Sequence, residues 1–263
     1  RGGFTAQPGE PLDLAARGGG DRELFEDKGD TKDVLKEDGK AIDELQNRLY
    51  ANGNHSVLVV LQGMDTAGKS GTIQNVFAYT TPLGMQIKAF KAPSKEELAH
   101  DYLWRVHQAV PKRGMIGIFD RSHYEDVLVV KVREFAPAEQ RYEQINQFEK
   151  HLVENGTVVL KFMLNVGYEE QGIRLNERLT EAHKFWKFNP GDLEDRKLWP
   201  QFMSAYETMV QRCSTEHAPW YIIPSDSRTR RNAAIARIVR GALEDLDLEW
   251  PAQVHHPDDF HIG

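Results

Sequence analysis

The chain has 263 residues, 40% of them hydrophobic, enough for one large α/β domain or two small ones with a sizeable core. A formal net charge of −7 argues against general electrostatic binding to nucleic acid or to an anionic membrane, while leaving room for a local basic cluster that takes an anionic ligand. The lone cysteine, Cys213, excludes an intrachain disulfide, and no run approaches the roughly 18 apolar residues of a membrane span, so the cytoplasm is the expected compartment.

Residues 1–29 are rich in glycine and charge and lack a period, which predicts an extended or mobile arm. From about residue 30, Leu35, Ile42, Leu45 and Leu49 recur near helical spacing and predict an amphipathic helix packed on the main domain. Val57-Leu58-Val59-Val60-Leu61 reads as a buried parallel strand. It runs directly into Gly63-Met64-Asp65-Thr66-Ala67-Gly68-Lys69-Ser70, a full match to the phosphate-loop pattern G-x-x-x-x-G-K-[ST], with a helix predicted over 72–78. Strand, glycine turn and helix N-terminus are what phosphate binding needs. Glycines let backbone N–H groups close round an anion, and the helix dipole adds favourable potential. Lys69 supplies a point charge, and the Ser70 hydroxyl is placed to reach Mg²⁺. Asp65 is the odd member, since a carboxylate beside phosphates is repelled unless a metal bridges them or it acts as a base; capping of the loop backbone is the alternative.

A second strand is expected over 85–90. Ser94 then caps a helix with Glu97 as its capping box, and that helix carries His100, Asp101, Trp104 and Arg105 to about Pro111. A third strand over 115–119 finishes at Asp120, where an acid beside a phosphate loop is the usual Mg²⁺–water ligand. Arg121 to Asp126 opens the next helix. A helix over 139–154, a strand over 157–164 and a helix over 168–179 follow, the last placing Arg174 and Arg178 one turn apart on one face. The aromatic and basic stretch Lys184 to Asp192 leads into a helix over 193–213. A fifth strand over 220–223 and a closing helix over 227–246 complete the domain.

Strands alternating with helices predict a parallel sheet covered on both faces, with the site at the carboxyl ends of the strands. The division is an arm at 1–29, a single domain at 30–250 and a tail at 251–263. Residues 174–192 have the chemistry of a lid that brings positive charge over transferring phosphates. A solvated charged hairpin is the alternative, because Glu177, Glu181, Glu194 and Asp195 are interleaved.

Several separated motifs, in order, resemble the polyphosphate kinase 2 family of phosphate-loop kinases over about residues 49–245. They are Gln62 to Lys69, Phe90-Lys91-Ala92-Pro93, His100 to Arg105, Phe119-Asp120-Arg121-Ser122 with Tyr124-Glu125-Asp126-Val127, Lys161-Phe162 with Glu170-Gln171, and Lys184 with Trp186 to Asp192. The resemblance implies a three-layer α/β/α sandwich with a five-stranded parallel sheet and a helical lid. It implies reversible phosphoryl transfer from inorganic polyphosphate to ADP and AMP, giving ATP, with Mg²⁺ or with Mn²⁺ as a substitute. Guanine nucleotides are further candidate acceptors, and a homo-oligomer, dimer or tetramer, is implied.

Carried over residue by residue, Asp65 and Asp120 look like the acidic pair that handles metal and attacking phosphate, with Lys69, Arg121 and Arg178 as catalytic phosphate contacts. Gly63, Thr66, Ala67, Gly68, Ser70, Arg174, Lys184 and Lys187 complete the polyphosphate set. Lys91, Asp101, Arg105, Glu125 and Asp126 look like nucleotide contacts, and the stretch around Glu125 is similar to the branch acting on mono- and diphosphates. The chain departs from the family pattern at Ser70, where aspartate is usual, and at Glu181-Ala182, where Asp-Pro is usual. Two other readings stand beside this one at the level of the sequence: a nucleoside or nucleotide kinase with an NTP donor, and a nucleotide-binding regulatory module. The second is weakened by the absence of an Asn-Lys-x-Asp guanine-reading sequence and by the number of lid cations.

Overall fold

The computed structural model describes residues 3–20, 28–133 and 139–255. The β-branched run expected to be a buried strand is β1 (Ser56–Gln62), buried at every position. The other strands are β2 (Met85–Ala89), β3 (Ile116–Asp120), β4 (Thr157–Asn165) and β5 (Trp220–Pro224). They form one sheet in the order β2-β3-β1-β4-β5, with every pairing parallel. Parallel strands need covering on both faces. Helices α2 (Lys28–Asn52), α3 (Lys69–Val76) and α11 (Arg228–Glu244) pack together, and α6 (Glu125–Val132), α7 (Glu139–Glu154) and α10 (Trp199–Cys213) form a second group. The expected three layers are therefore present. Because β3 and β4 flank β1 while the chain runs outward in opposite directions, a crevice opens at the carboxyl end of β1.

Most boundaries fall within a residue or two of expectation, and two helices are interrupted. The helix expected from Ser94 to about Pro111 is two single turns, α4 (Lys95–Leu98) and α5 (Trp104–His107). Ser94 and Glu97 make the expected capping box. Asp101 then accepts the Leu103 amide at 3.0 Å, a local bond that competes with helix continuation. The helix expected over 193–213 is broken at Leu198 into α9 (Pro190–Lys197) and α10. Pro200 cannot donate and its ring crowds the carbonyl four residues back, so the chain restarts. Earlier in the lid, α8 (Tyr168–Thr180) and a short 3₁₀ turn over Ala182–Lys187 lead into α9.

Where it is described, the arm is extended, the first of the two expected alternatives, and it is hydrogen-bonded to β5. Thr5 bridges Tyr221 antiparallel, the Ala6 amide donates to Trp220 O and Ile222 donates to Phe4 O, both at 2.8 Å. The arm thus occupies the free edge of β5. A turn of helix, α1 (Leu14–Arg17), buries Leu14, and Asn165 Nδ2 donates to Leu14 O and Gly18 O. Residues 21–27 lie outside the described residues, as does the tail beyond 255; residues 251–255 form neither helix nor strand. Among the described residues no helix is long and apolar enough to cross a membrane.

A polar cluster is sealed inside this fold. Lys161 Nζ lies 2.6 Å from Glu149 Oε2 and donates to Tyr124 Oη and Cys213 O, while Glu149 Oε1 meets His123 Nε2 and Tyr124 Oη. His123, Tyr124, Glu149 and Lys161 are fully buried. Cys213 therefore belongs to packing, and burial pushes its thiol up to about 12.

Candidate active site

β1 delivers the chain to the phosphate loop, and the loop geometry explains its glycines. Gly63 has φ 150° and lies against β4, where a Cβ would stand 2.7 Å from Leu164 O. Gly68 adopts φ 105° as the N-cap of α3. Thr66 and Arg121 are left-handed without being glycine, at φ 66° and 60°; such residues cost about 1–3 kcal/mol each and concentrate at functional sites.

Lys69 is buried, and its Nζ donates to Gly63 O at 2.8 Å and Met64 O at 3.3 Å. Burial and the charge of Arg121 lower its pKa, against the opposing pull of Asp65, Asp120 and Glu125. Asp120 ends β3 in register with Leu61 of β1, and its Oδ2 accepts the Ser70 hydroxyl at 3.3 Å. The Arg121 guanidinium lies between two acids, 2.6 Å from Asp65 Oδ1 and 3.3 Å from Glu125 Oε2. Gln62, with its amide nitrogen toward Glu125 at 3.1 Å, accepts from Ser122 and fixes the turn behind Arg121.

Across from the loop stands the lid. Loop and lid enclose a cleft of about 930 Å³ lined by Asp65, Thr66, Gly68, Lys69, Ser70, Lys91, Asp120 and Arg121 on one side and by Arg178, Lys184 and Lys187 on the other. Arg178 Nη1 is 2.7 Å from Asp192 Oδ2 and also donates to Lys187 O. Asp192 is pushed up to about 6 by burial and then by the Asp65 charge, with Arg178 opposing. Lys184 sits between Glu177 and Glu181, 2.7 Å from each. Lys187 is exposed and forms no carboxylate pair among the described residues; its ammonium lies 5.1 Å over the Trp186 ring.

The structure redistributes several expected contacts. Arg174 shares a helix with Arg178 and lines the same cleft, but its bonds run to the loop and to the end of β5 and not to the lid acids. It is 4% exposed, pairs with Glu170, and donates to Thr66 O, Ser225 O and Asp226 O, so it clamps the loop to the carboxyl end of β5. Of the nucleotide candidates, Lys91 lines the cleft and Glu125 is reached through Arg121. Asp101, Arg105 and Asp126 do not line it. Asp101 borders a separate hollow with Trp104, His107 and Phe148. Arg105 donates to Lys91 O and stacks 5.4 Å from the Phe90 ring. Asp126 is paired with Arg141.

Residues unmarked in the sequence also line the cleft: Lys32 and Asn75, and, from the start of α11, Arg228, Thr229, Arg231 and Asn232. The signal available for the last group is topological, since a basic run directly after the last strand begins at the ligand-binding edge of the sheet.

The five-stranded parallel sheet, the phosphate loop and the facing basic lid define a phosphate-loop kinase. The family model for polyphosphate kinase 2 matches residues 25–250. The chain is 45% identical to the AMP/ADP-polyphosphate phosphotransferase of Meiothermus ruber over 95% of this chain and 92% of that protein. It is 36% identical to the ADP-polyphosphate phosphotransferase of Rhodopseudomonas palustris, over 94% and 91%. The crystal structure of polyphosphate kinase 2 from Arthrobacter aurescens superposes with a TM-score of 0.91 at 38% identity, over 98% of this chain and 93% of that one. The chain belongs to the polyphosphate kinase 2 family and is a phosphotransferase.

Proposed function

We propose that this enzyme transfers a phosphoryl group reversibly from inorganic polyphosphate to ADP, forming ATP, and to AMP, forming ADP that a second transfer carries to ATP. The observation that carries the reading is the single cleft in which Lys69 and Asp120 face Arg178, Lys184 and Lys187. A polyphosphate brings about one negative charge per phosphate, so a row of cations on an otherwise acidic protein is what such a donor requires. The names of the relatives from Meiothermus ruber and Rhodopseudomonas palustris support the same substrates.

In the ATP-forming direction, a terminal oxygen of the nucleotide forms a bond to the end phosphorus of the chain. The bridging P–O bond breaks, and the shortened polyphosphate leaves with the electron pair. The acceptor oxygen is already ionised, so no strong base is needed, and the protein's task is alignment and charge neutralisation. Lys69, held by two loop carbonyls, keeps its ammonium at the loop. Arg121, oriented by Asp65 and Glu125, and Arg178, oriented by Asp192, meet charge on the transferring group.

The donor set suits Mg²⁺. Asp120 and the Ser70 hydroxyl are already juxtaposed, and this ion is typically held by one or two carboxylates, water and substrate phosphates. Asp120 with Ser70 would hold it, and Asp65 would contribute from across the loop; bound there, the ion neutralises phosphate charge. Mn²⁺ would substitute. Ser70 in place of the family's usual aspartate supplies a neutral ligand, which makes Asp120 the principal one. A cytoplasmic location and a dimeric or tetrameric assembly belong to the same proposal, the assembly being readable by light scattering.

The test is ATP formation from ADP and polyphosphate with no other nucleotide present, repeated with AMP and GDP. No product from any acceptor, alongside transfer from an NTP, would replace polyphosphate by a nucleotide donor.

A further inference from the structure

Beneath the phosphate loop lies a cation that the transfer scheme does not use. Arg231, near the start of α11, is 2% exposed. Its Nη1 donates to Ala67 O at 3.0 Å, and its Nε and Nη2 donate to Asn232 Oδ1 at 3.1 and 3.0 Å. No carboxylate among the described residues pairs with it. The neighbouring charges that act on it are those of Arg174 and Arg228, both positive. Its guanidinium fills the space that a side chain at position 68 would need: a Cβ on Gly68 would stand 1.9 Å from Nη1, and one on Gly71 would stand 3.5 Å from Nη2. The glycines of the loop are thus matched to this arginine as well as to an anion.

A buried charge without a counter-charge is costly, and an apolar side chain of similar volume would remove that cost. Arg231 becomes intelligible if its missing counter-ion is the ligand. A cation that is almost fully buried, bonded to the loop carbonyl of Ala67 and lining the same cleft adds positive potential at the loop and needs no rearrangement when an anion arrives.

We propose that Arg231 is a positioning residue for phosphate binding, whose buried charge both holds the Ala67–Gly68 turn and supplies the positive potential that lets the loop take a chain of phosphates. The inference rests on the reading that a phosphate chain, from polyphosphate or from a nucleotide, occupies the loop.

Isothermal titration of the full chain with inorganic tripolyphosphate and, separately, with Mg-ATP, each at low and high salt, tests it. Arg231→Met should weaken the loop ligand by about tenfold or more, equivalent to about 1.4 kcal/mol. Its affinity should also depend less steeply on salt, because one cation has left the site. Arg231→Lys should recover most of both, and the melting temperature of Arg231→Met should equal or exceed that of the parent. A loss seen with tripolyphosphate supports the inference with polyphosphate at the loop. A loss confined to ATP supports Arg231 but reverses the donor assignment. Affinity within about twofold of the parent for both ligands, or an equal loss in Arg231→Lys and Arg231→Met, would overturn the inference. Should Arg231→Met fold poorly, Asn232→Ala, which removes the oxygen holding Nε and Nη2, is read by the same titrations: a weakened ligand supports the inference and an unchanged one sinks it.

Discussion

The loop and the lid face each other across one cleft, and both are rich in cations, yet they hold them by different means. Lys69 and Arg174 are buried and bonded mainly to backbone carbonyls, and Arg231 is buried and bonded to Ala67 O and the neutral amide oxygen of Asn232. Arg178 and Lys184 are only partly buried and paired with Asp192, Glu177 and Glu181. A carbonyl orients a cation without cancelling its charge. A carboxylate cancels much of it, so phosphate must compete with the acids for the lid. The loop is therefore preorganised, while the lid offers charge that is released on engagement. That division predicts that substitutions of the buried loop cations reach folding or chemistry, and that substitutions of the lid cations act on transfer and capture with little effect on folding.

The sharpest way to break the contrast is Lys69→Ala. It should lower kcat at least a hundredfold, about 2.7 kcal/mol of barrier, with an unchanged circular dichroism spectrum. Retention of more than about a tenth of the parent rate would mean that the loop cation is dispensable.

Next comes a matched pair on one helix. Arg174→Ala removes four hydrogen bonds from a buried guanidinium, each of the charge-assisted kind worth about 1.5–3 kcal/mol, and should lower unfolding stability by about 3 kcal/mol or more in urea titration. Arg178→Ala breaks a single ion pair, with Asp192, and should cost less stability than Arg174→Ala while cutting kcat about tenfold or more. Equal stability losses would erase the distinction between clamp and lid.

Lys187→Ala tests the outer lid. It should raise KM for polyphosphate by about three- to tenfold and make it less sensitive to salt, with nucleotide KM nearly unmoved. A rise in nucleotide KM alone would put the nucleotide under the lid and invert the polarity of the site.

The smallest effect concerns Asp192. Its folded pKa is raised from 3.8 to about 6, by burial first and by Asp65 second, so the fold holds this proton more tightly than the unfolded chain does. Its stabilising contribution is complete below the unfolded value and is lost as pH rises through the folded one. The melting temperature of Asp192→Asn, relative to the parent, should therefore climb between pH 4 and pH 7. A flat difference would show that Arg178 fully compensates the burial.

Local pattern was enough for much of this. The phosphate loop, the strand before it, Asp120 at a strand end, the Ser94 capping box and the alternation of strands and helices all follow from period, glycine placement and capping, which act over a few residues. Tertiary structure decided the rest. Arg174 and Arg178 are indistinguishable by spacing, yet one meets the carbonyls of Thr66, Ser225 and Asp226 and the other meets Asp192 across a lid turn. Asp101 and Arg105, near neighbours in sequence, are parted because the chain turns at Asp101. The arm, featureless in sequence, takes its described structure from distant partners, the edge of β5 and Asn165 at the end of β4. The basic run that opens α11 does not single out Arg231: its contact with the loop needs 164 residues of separation from Ala67 to close to a hydrogen bond. Backbone propensity is written in neighbours, whereas the partner that decides whether a charge is clamped, cancelled or left free is supplied by the fold.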